Sequence, residues 1–396
     1  LLTFANSWPD ALVFDDKAFV GPEPRVVQLD SISHAFAEDL WHGRSGLYRP
    51  LLLINFEFQN RLFGSWLEGY HLVNIFLHLA ATLLLFGFLR YLLISSGQNI
   101  RRVDLVALLP SLVFAVHPAH TEVVNSVFNS SSIFVSIFTI SGLWWLLSRL
   151  ESKPVQAWAG LGLCYSLAIL FKESALVIPG IAVALDILLT EGDIKQRIRR
   201  MLPVYWLLIP IAIFFWARAI ALAPDQAGAA PDSTIPQGFT AVFDSIVVSG
   251  EHSWLSKFAL YGNGLKVLIW PYPLQLYYAR PDGLAAAYFI AIQLIFATWA
   301  FYLFLKGKPG VLAGLAFYYI ALTPSIRVIS LDGTVPHLSE RYLYFLGASM
   351  TFLTLQISAE IGLAEGFVPT LPVSSDRGFD PTSRSEFGSL AFRLTF

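Results

Sequence analysis

Long apolar segments alternate with short polar segments along most of this chain. A helix needs about 20 largely apolar residues to cross the hydrocarbon core of a bilayer, so such segments predict membrane-spanning helices. The candidate spans are residues 70–93, 104–116, 133–147, 155–171, 175–189, 202–222, 284–305, 310–322 and 342–363. We therefore predict an all-α polytopic membrane protein with about 9–11 transmembrane helices, one bundle lying in residues 70–222 and further helices in 284–363.

Two longer segments are too polar to span the bilayer. Residues 9–69 are charged yet rich in Trp, Phe and Leu, which predicts a long first exterior loop with interfacial helices. Residues 223–283 form a second exterior loop, in which glycines and prolines interrupt the apolar residues 258–278 and favour a re-entrant or interfacial segment over a full span. Residues 1–8 are interpreted as a truncated first transmembrane helix, and 364–396 as a disordered tail.

The distribution of Lys and Arg in the short loops predicts the orientation, because these residues are enriched on the cytoplasmic side. One alternating set of loops carries about eleven of them and the other set about three. The polar residues that follow spans 104–116 and 155–171 belong to the second set. We therefore expect them at the outer membrane face.

Composition agrees with a membrane protein and excludes other classes. The chain is 55% hydrophobic and 14% charged, whereas soluble domains carry about 25% charged residues. The net charge of −2 gives no reason to expect a nucleic-acid partner. A single cysteine, Cys164, excludes an intrachain disulfide framework and a cysteine-based zinc site.

Two adjacent carboxylates, Asp15 and Asp16, follow the short apolar start of the chain. Such a pair is most often a solvated turn. Here, however, other ionisable residues from loops far apart in sequence are expected at the same membrane face. They are Arg49, His117, His120, Glu122, Lys172, Glu173, Arg327, Glu340 and Arg341. Ionisable residues at the ends of membrane helices favour a functional site.

Several of these residues also have simpler interpretations. Lys172 can extend its ammonium group to the interface from an apolar position. His117, His120 and Glu122 could bind a metal, but Pro118 favours a turn that ends a helix. These alternatives remain open at the level of the sequence.

A second polar pattern lies in the first clear span. His71, Asn74 and His78 are spaced so that they share one face of a helix. That face must turn away from lipid, and two histidines two helical turns apart are a weak metal site. We therefore interpret the face as a hydrogen-bonded seam between helices.

Two arginines, Arg49 and Arg341, are expected near the carboxylate pair. A guanidinium group is always charged and binds phosphate through two parallel hydrogen bonds. A carboxylate can accept the proton of an acceptor hydroxyl. Together these groups describe the transfer of a sugar from a lipid phosphate.

Six short motifs follow one another in an order that resembles a known family. They are Val-Phe-Asp-Asp (13–16), Tyr-Arg-Pro (48–50), Tyr-His-Leu-Val-Asn (70–74), His-Pro-Ala-His-Thr-Glu (117–122), Phe-Lys-Glu-Ser (171–174) and Ser-Glu-Arg-Tyr-Leu-Tyr (339–344). The chain resembles the membrane domain of the transmembrane and TPR-containing O-mannosyltransferases and their bacterial relatives, within the GT-C glycosyltransferase superfamily. It departs from that family in two ways: no TPR repeats follow the last predicted span, and residues 125–132 are unusually polar.

The resemblance implies a GT-C-like bundle that transfers a sugar, mannose in that family, with inversion. The donor would be a polyprenyl- or dolichyl-phosphate sugar, and the acceptor a hydroxyl of a protein Ser or Thr or of a glycan. Asp15 is expected to act as general base, with Asp16 orienting it. The two could also share a divalent cation such as Mg²⁺ or Mn²⁺, and no other cofactor is expected.

The expected transfer reaction also gives roles to the remaining polar residues, since the charge on the phosphate rises as the sugar leaves. Arg49, Lys172 and Arg341 are expected to bind the donor phosphate. The residues expected to position substrates are His117, His120, Glu122, Glu173 and Glu340. The active face would be periplasmic in a bacterial inner membrane or lumenal in the endoplasmic reticulum.

Two other classes of function remain as alternatives. A transporter or flippase of an anionic lipid or solute would use the outer arginines equally well. Transport sites, however, lie near the bilayer midplane between internal repeats, and no internal repeat is apparent. A non-catalytic membrane scaffold would leave the predicted convergence of charges unexplained.

Overall fold

The computed structural model describes residues 4, 15–20, 32–41, 46–95, 100–189, 194–222, 254–276, 278–279, 281–306, 309–324, 338–345 and 347. Every regular element in these ranges is helical, and an isolated bridge joins Tyr278 to Leu338. The all-α prediction is therefore confirmed for this part of the chain. The predicted tail, Arg327 and most of the last predicted span lie outside the described residues.

The α-helices are numbered in chain order. They are α1 (Asp16–Phe19), α2 (Pro50–Phe63), α3 (Leu67–Ser95), α4 (Ile100–Val116), α5 (Thr121–Asn125), α6 (Ser130–Arg149), α7 (Pro154–Phe171), α8 (Ile178–Leu189), α9 (Ile194–Met201), α10 (Leu208–Ala221), α11 (Trp254–Ile269), α12 (Gly283–Leu305) and α13 (Gly310–Leu322). Short 3₁₀ segments cover Ile32–Phe36, Pro118–His120, Glu173–Val177 and Leu202–Leu207.

Five helical segments within the described residues are long and apolar enough to cross a membrane. They are Leu67–Ser95, Ser130–Arg149, Pro154–Phe171, Lys195–Ala221 and Gly283–Leu305. A sixth span arises if Val103–Val116 and Pro118–Asn125, which meet at a bend of 52°, are counted together. The predicted class, a multi-pass membrane protein, is confirmed.

The helices pack against one another around an apolar core. Helix α3 packs against α4 and α6, α6 against α7, and α8 against α13. Lipid is as apolar as leucine, so close packing is what holds membrane helices together. Gly142 on α6 permits such an approach, because a Cβ added there would lie 2.9 Å from Leu161 on α7.

One end of the bundle, here named the site end, gathers the C-termini of α4, α7 and α13 and the N-termini of α6, α8 and α12. Helix α11 packs against this end and along the first half of α12, where Gln293 Nε2 donates to Phe258 O over 2.8 Å. Three hydrogen bonds hold it there: Ser256 Oγ to Asp282 Oδ1 (2.9 Å), Tyr261 OH with Thr323 Oγ1 (2.7 Å), and His117 Nε2 to Leu268 O (2.9 Å). All three partners flank helix ends, and the re-entrant or interfacial interpretation of residues 258–278 stays a prediction.

The first exterior segment folds onto the site end through a second apolar cluster. Its helix α2 begins at Pro50, whose missing N–H is not needed in the first turn. The helix ends at Gly64, which has a positive φ of 52° and donates its N–H to Asn60 O. Asn60 also donates to Phe19 O over 2.8 Å, so α1 and α2 are held together. Phe19 is fully buried in this cluster.

Candidate functional site

The chain breaks its helical path where the motif Lys172–Glu173 occurs. Helix α7 ends at Phe171, and Lys172 has extended backbone angles, φ −162° and ψ 134°. A 3₁₀ turn from Glu173 to Val177 then leads into α8. This break places two charged side chains in succession at the site end of the bundle.

Arg49 and Glu173 form an ion pair with two hydrogen bonds. Arg49 Nε donates to Glu173 Oε2 over 2.8 Å, and Nη2 donates to Oε1 over 2.5 Å. The Arg49 side chain is 7% exposed and that of Glu173 is 40% exposed. Burial raises the pKa of Glu173, but the charge and hydrogen bonds of Arg49 outweigh burial and lower this pKa to about 2. Glu173 is therefore ionised at neutral pH.

Lys172 lies beside this pair and is almost fully buried. Its Nζ donates a hydrogen bond to Ser132 Oγ over 2.8 Å. Burial is the main cause that lowers the pKa of Lys172 to about 7, followed by the positive charge of Arg49. The other charges that act on Lys172 are those of Glu173, Arg341 and Glu122. Arg49, Glu122, Lys172, Glu173 and Arg341 are named the charge cluster.

Glu122 is the partner of Arg341 in the charge cluster. Its Oε2 accepts hydrogen bonds from Ser339 Oγ over 3.1 Å and from the Arg341 N–H over 2.9 Å. Its Oε1 lies 3.7 Å from Arg341 Nη1. The charge cluster therefore contains three cations and two carboxylates, and each arginine has a carboxylate partner. Lys172 donates to a hydroxyl instead, which leaves one excess positive charge when it is protonated.

Glu340 lies next to the charge cluster but has different partners. Its Oε1 accepts hydrogen bonds from the Gln275 N–H over 2.6 Å and from Tyr278 OH over 3.0 Å. Burial raises the pKa of Glu340, and the negative charge of Glu122 adds to this effect. Glu340 immediately precedes Arg341. Its hydrogen bonds therefore hold the loop after α11 next to the charge cluster.

The two adjacent aspartates have different surroundings. Asp16 is fully buried, and its Oδ1 accepts hydrogen bonds from Ser126 Oγ (3.0 Å) and the Phe128 N–H (2.8 Å), while Oδ2 accepts from the Val127 N–H (3.1 Å). Burial raises the pKa of Asp16 to about 6, although the three donors oppose the shift. Asp15 is half-buried and makes no capping hydrogen bond with its side chain. Asp15 is therefore the accessible carboxylate.

The aspartate pair does not fit a metal ion shared by both carboxylates. Both oxygens of Asp16 already accept hydrogen bonds from the segment before α6, and no part of the side chain is exposed. Within the described ranges, no group of three or more His, Cys, Asp and Glu side chains is arranged to hold a metal. No chemical step below depends on a metal.

His117 and His120 lie at the bend between α4 and α5, not within the charge cluster. His117 Nδ1 accepts the Ala119 N–H (3.2 Å), which leaves Nε2 as the donor to Leu268 O (2.9 Å). His120 is fully buried, and its Nδ1 lies 2.8 Å from Phe114 O. In the structure these histidines join helices, and their predicted contact with substrates stays a prediction.

The polar face of α3 forms a hydrogen-bonded seam with neighbouring segments at Asn74 and His78, two of its three predicted members. Asn74 Nδ2 donates to Val124 O (3.3 Å) and Ser126 O (2.8 Å). His78 bonds Tyr344 OH through Nδ1 over 2.7 Å and Ala115 O through Nε2 over 3.1 Å. Asn74 and His78 thus fix the chain segments that carry Glu122 and Arg341.

Some residues that build the site were not singled out from the sequence. Ser126 and Ser132 belong to the polar run 125–132, which had no explanation in sequence. The run binds Asp16 at its beginning and Lys172 at its end, so it joins the aspartate pair to the charge cluster. A polar run directly before an apolar span was the signal that could have revealed it. Tyr278, the partner of Glu340, had no comparable signal.

Comparison of the amino-acid sequence with known proteins identifies relatives of this chain. Mouse protein O-mannosyl-transferase TMTC4 is 28% identical over 225 residues, covering 51% of this chain and 30% of the mouse protein. Human protein O-mannosyl-transferase TMTC2 is 24% identical over 238 residues, covering 56% of this chain and 27% of the human protein. The chain carries a TMTC-like membrane domain.

The TMTC-like domain also matches protein O-mannosyl-transferase Tmtc3 of Drosophila melanogaster, with 30% identity over 212 residues, 47% of this chain and 23% of the fly protein. The matched parts span less than a third of the length of these relatives. No family model matches the chain, and no solved structure matches it. The resemblance predicted from the motifs is confirmed by these relatives.

Proposed function

We propose that this TMTC-like domain is a glycosyltransferase that moves mannose from a polyprenyl- or dolichyl-phosphate donor to a hydroxyl of a protein. The observation that carries the proposal is the charge cluster, in which three cations from distant parts of the sequence meet at one end of a membrane bundle. The names of the relatives, protein O-mannosyl-transferases, support the sugar and the acceptor class.

The three cations suit the phosphate of the donor. As the bond between the sugar and the phosphate breaks, negative charge increases on the phosphate oxygens, and positioned cations stabilise that charge. Arg49 and Arg341 are held in place by Glu173 and Glu122, so their guanidinium groups need little reorganisation. Lys172 has no carboxylate of its own and supplies the excess charge that a phosphodiester monoanion would balance.

Asp15 is the proposed general base. Its carboxylate is accessible, whereas the neighbouring Asp16 is occupied by three hydrogen bonds. In an inverting displacement, the acceptor oxygen bonds to the anomeric carbon while its proton passes to Asp15. The bond from that carbon to the phosphate oxygen breaks, and the lipid phosphate leaves with the electron pair. Asp16 acts as a positioning residue that fixes Asp15 above the start of α6.

The site end is proposed to face the periplasm or the lumen of the endoplasmic reticulum. The excess of Lys and Arg in the loops of the opposite end supports this orientation. An accessible acid and a cation cluster on that face would meet a lipid-linked donor in the bilayer and a protein acceptor in the aqueous compartment.

The proposal is tested by measuring sugar transfer with the purified full-length protein in membranes. Polyprenyl-phosphate mannose and other lipid-phosphate sugars are supplied with a peptide that contains Ser and Thr. The Asp15→Asn variant is compared with Glu38→Gln, which removes an acid from the same exterior segment. Transfer by the wild type and Glu38→Gln but not by Asp15→Asn supports the mechanism. Movement of labelled lipid across the bilayer without sugar transfer would favour a flippase instead.

A further inference from the structure

Residues 270–276 form a loop at the site end that exposes large apolar side chains. Trp270, Tyr272, Leu274 and Leu276 are 67%, 74%, 39% and 45% exposed. Clustered apolar side chains on a surface mark a place where another apolar body binds. The loop directly follows α11, which ends at Ile269.

The loop is fixed to the residues beside the charge cluster. The Gln275 N–H and Tyr278 OH both donate to Glu340 Oε1. The Tyr278 N–H donates to Leu338 O over 2.8 Å. Lys266 Nζ donates to Tyr272 O and so ties the loop back to α11. These contacts hold the apolar surface in a defined position next to residues 338–340.

The chemistry of a prenyl phosphate requires apolar surface close to its phosphate site. The first isoprene unit is bonded directly to a phosphate oxygen, so the apolar chain begins one bond away from the phosphate group. Arg341 of the charge cluster follows Glu340, and their Cα atoms are about 3.8 Å apart. The loop therefore supplies apolar surface where the chain of a phosphate bound at Arg341 would begin.

We infer that residues 270–276 bind the isoprenoid chain of the lipid donor at the part nearest its phosphate. The inference rests on the proposed function, because it assumes a donor whose phosphate occupies the charge cluster. Bulk bilayer lipid is the competing occupant. A loop that contacts only bilayer lipid needs no fixed position beside the phosphate site. This loop is instead hydrogen-bonded to Glu340, which adjoins Arg341 of the charge cluster.

The test uses two mannosyl donors that differ only in their lipid: a long polyprenyl chain and a short, water-soluble alkyl chain. The double variant Tyr272→Ser/Leu274→Ser removes apolar surface from the loop, where the two residues are 74% and 39% exposed. Leu284→Ser is the matched control, because Leu284 is 91% exposed at the start of α12 on the same end of the bundle. Each protein is assayed for KM and kcat with both donors.

We expect the double variant to raise KM for the long donor by about tenfold or more, because it removes apolar surface that the chain would cover. Its kcat and its KM for the short donor should match the wild type, and Leu284→Ser should change neither value. Equal losses with both donors would assign the loop a purely structural role and overturn the inference. An unchanged KM for the long donor would show that the loop contacts only bilayer lipid.

A separate binding measurement distinguishes failure of the inference from failure of the proposed function. Binding of the two lipid phosphates without sugar is followed by native mass spectrometry. If the wild type transfers no sugar but binds the long lipid phosphate, and the double variant does not, the enzyme class is wrong and lipid recognition by the loop stands. If the wild type and the double variant bind both lipids equally, the inference is overturned whatever the transfer assay shows.

Discussion

Arg49 and Glu173 lie 124 residues apart in sequence and form an ion pair through two hydrogen bonds of 2.8 and 2.5 Å. The pair joins the residue before α2 in the exterior segment to the break between α7 and α8. It therefore fixes the exterior segment on the bundle and holds a guanidinium group beside Lys172. A single interaction thus contributes both to the fold and to the candidate site.

Loss of one partner of this pair should destabilise the protein. Glu173→Gln would leave the buried Arg49 guanidinium with a neutral acceptor, and hydrogen bonds to charged groups contribute about 2 kcal/mol. We expect a lower unfolding temperature in detergent and a weaker affinity for the donor. The exposed pair of Arg61 and Glu57 within α2 is the control, since such pairs contribute about 0.5 kcal/mol. Equal losses from Glu173→Gln and Glu57→Gln would contradict this role.

Donor binding should depend on pH through Lys172. Its pKa of about 7 means that the ammonium is charged below pH 7 and neutral above it. KM for the donor should therefore rise by up to about tenfold per pH unit above 7, and donor binding should take up a proton. Lys172→Arg should remove this pH dependence, because arginine stays charged. A wild-type KM that is constant from pH 6 to 8.5 would refute the prediction.

The two aspartates should respond differently to the same substitution. Asp15→Asn is expected to lower transfer by about 10²–10⁴-fold, the usual contribution of a general base, while the unfolding temperature stays at the wild-type value. Asp16→Asn is expected to lower the unfolding temperature, because an amide cannot accept all three hydrogen bonds. Transfer rates and thermal unfolding of both variants provide the check. Full activity in Asp15→Asn would exclude it as the base.

Asp16 should also give stability a specific pH dependence. Its folded pKa of about 6 lies above the unfolded value of 3.8. Between these values the folded protein keeps a proton that the unfolded chain has lost, so this contribution to stability is present below pH 4 and is lost as pH rises through 6. Unfolding of the wild type and Asp16→Asn between pH 4.5 and 7.5 should show a slope that only the wild type has. Parallel curves would contradict this assignment.

The close contact of α11 with α12 should not tolerate a side chain at Gly262. A Cβ there would lie 1.9 Å from Phe289 O, a backbone atom that cannot move freely. Gly262→Ala is expected to destabilise the protein by about 1–3 kcal/mol, the usual cost of overpacking. Gly162→Ala is the control, because its added Cβ would lie 3.4 Å from Leu207. Measurements of thermal unfolding that rank the two variants equally would disprove the contact.

Much of the fold could be predicted from the sequence because membrane helices are determined locally. Hydrophobic length alone predicted spans between residues 70 and 322, and helices occur at each of them in the described residues. The predicted helical extent was wrong before residue 202, where the sequence between spans 175–189 and 202–222 was treated as a polar connection. There Ile194–Met201 forms a helix that leads into the next span. Charges at the end of a span do not break it, since long cationic side chains reach the interface.

Residue type and order were sufficient to predict the all-α membrane class, the unusual polar residues and the resemblance to the O-mannosyltransferases. The pairing of those residues became visible only in the packed helices. In the folded chain, Arg49 pairs with Glu173 and Glu122 pairs with Arg341. Asp16 is buried, whereas Asp15 remains accessible. Hydropathy depends on neighbours in sequence, whereas hydrogen bonds and burial depend on packing between segments that are more than a hundred residues apart.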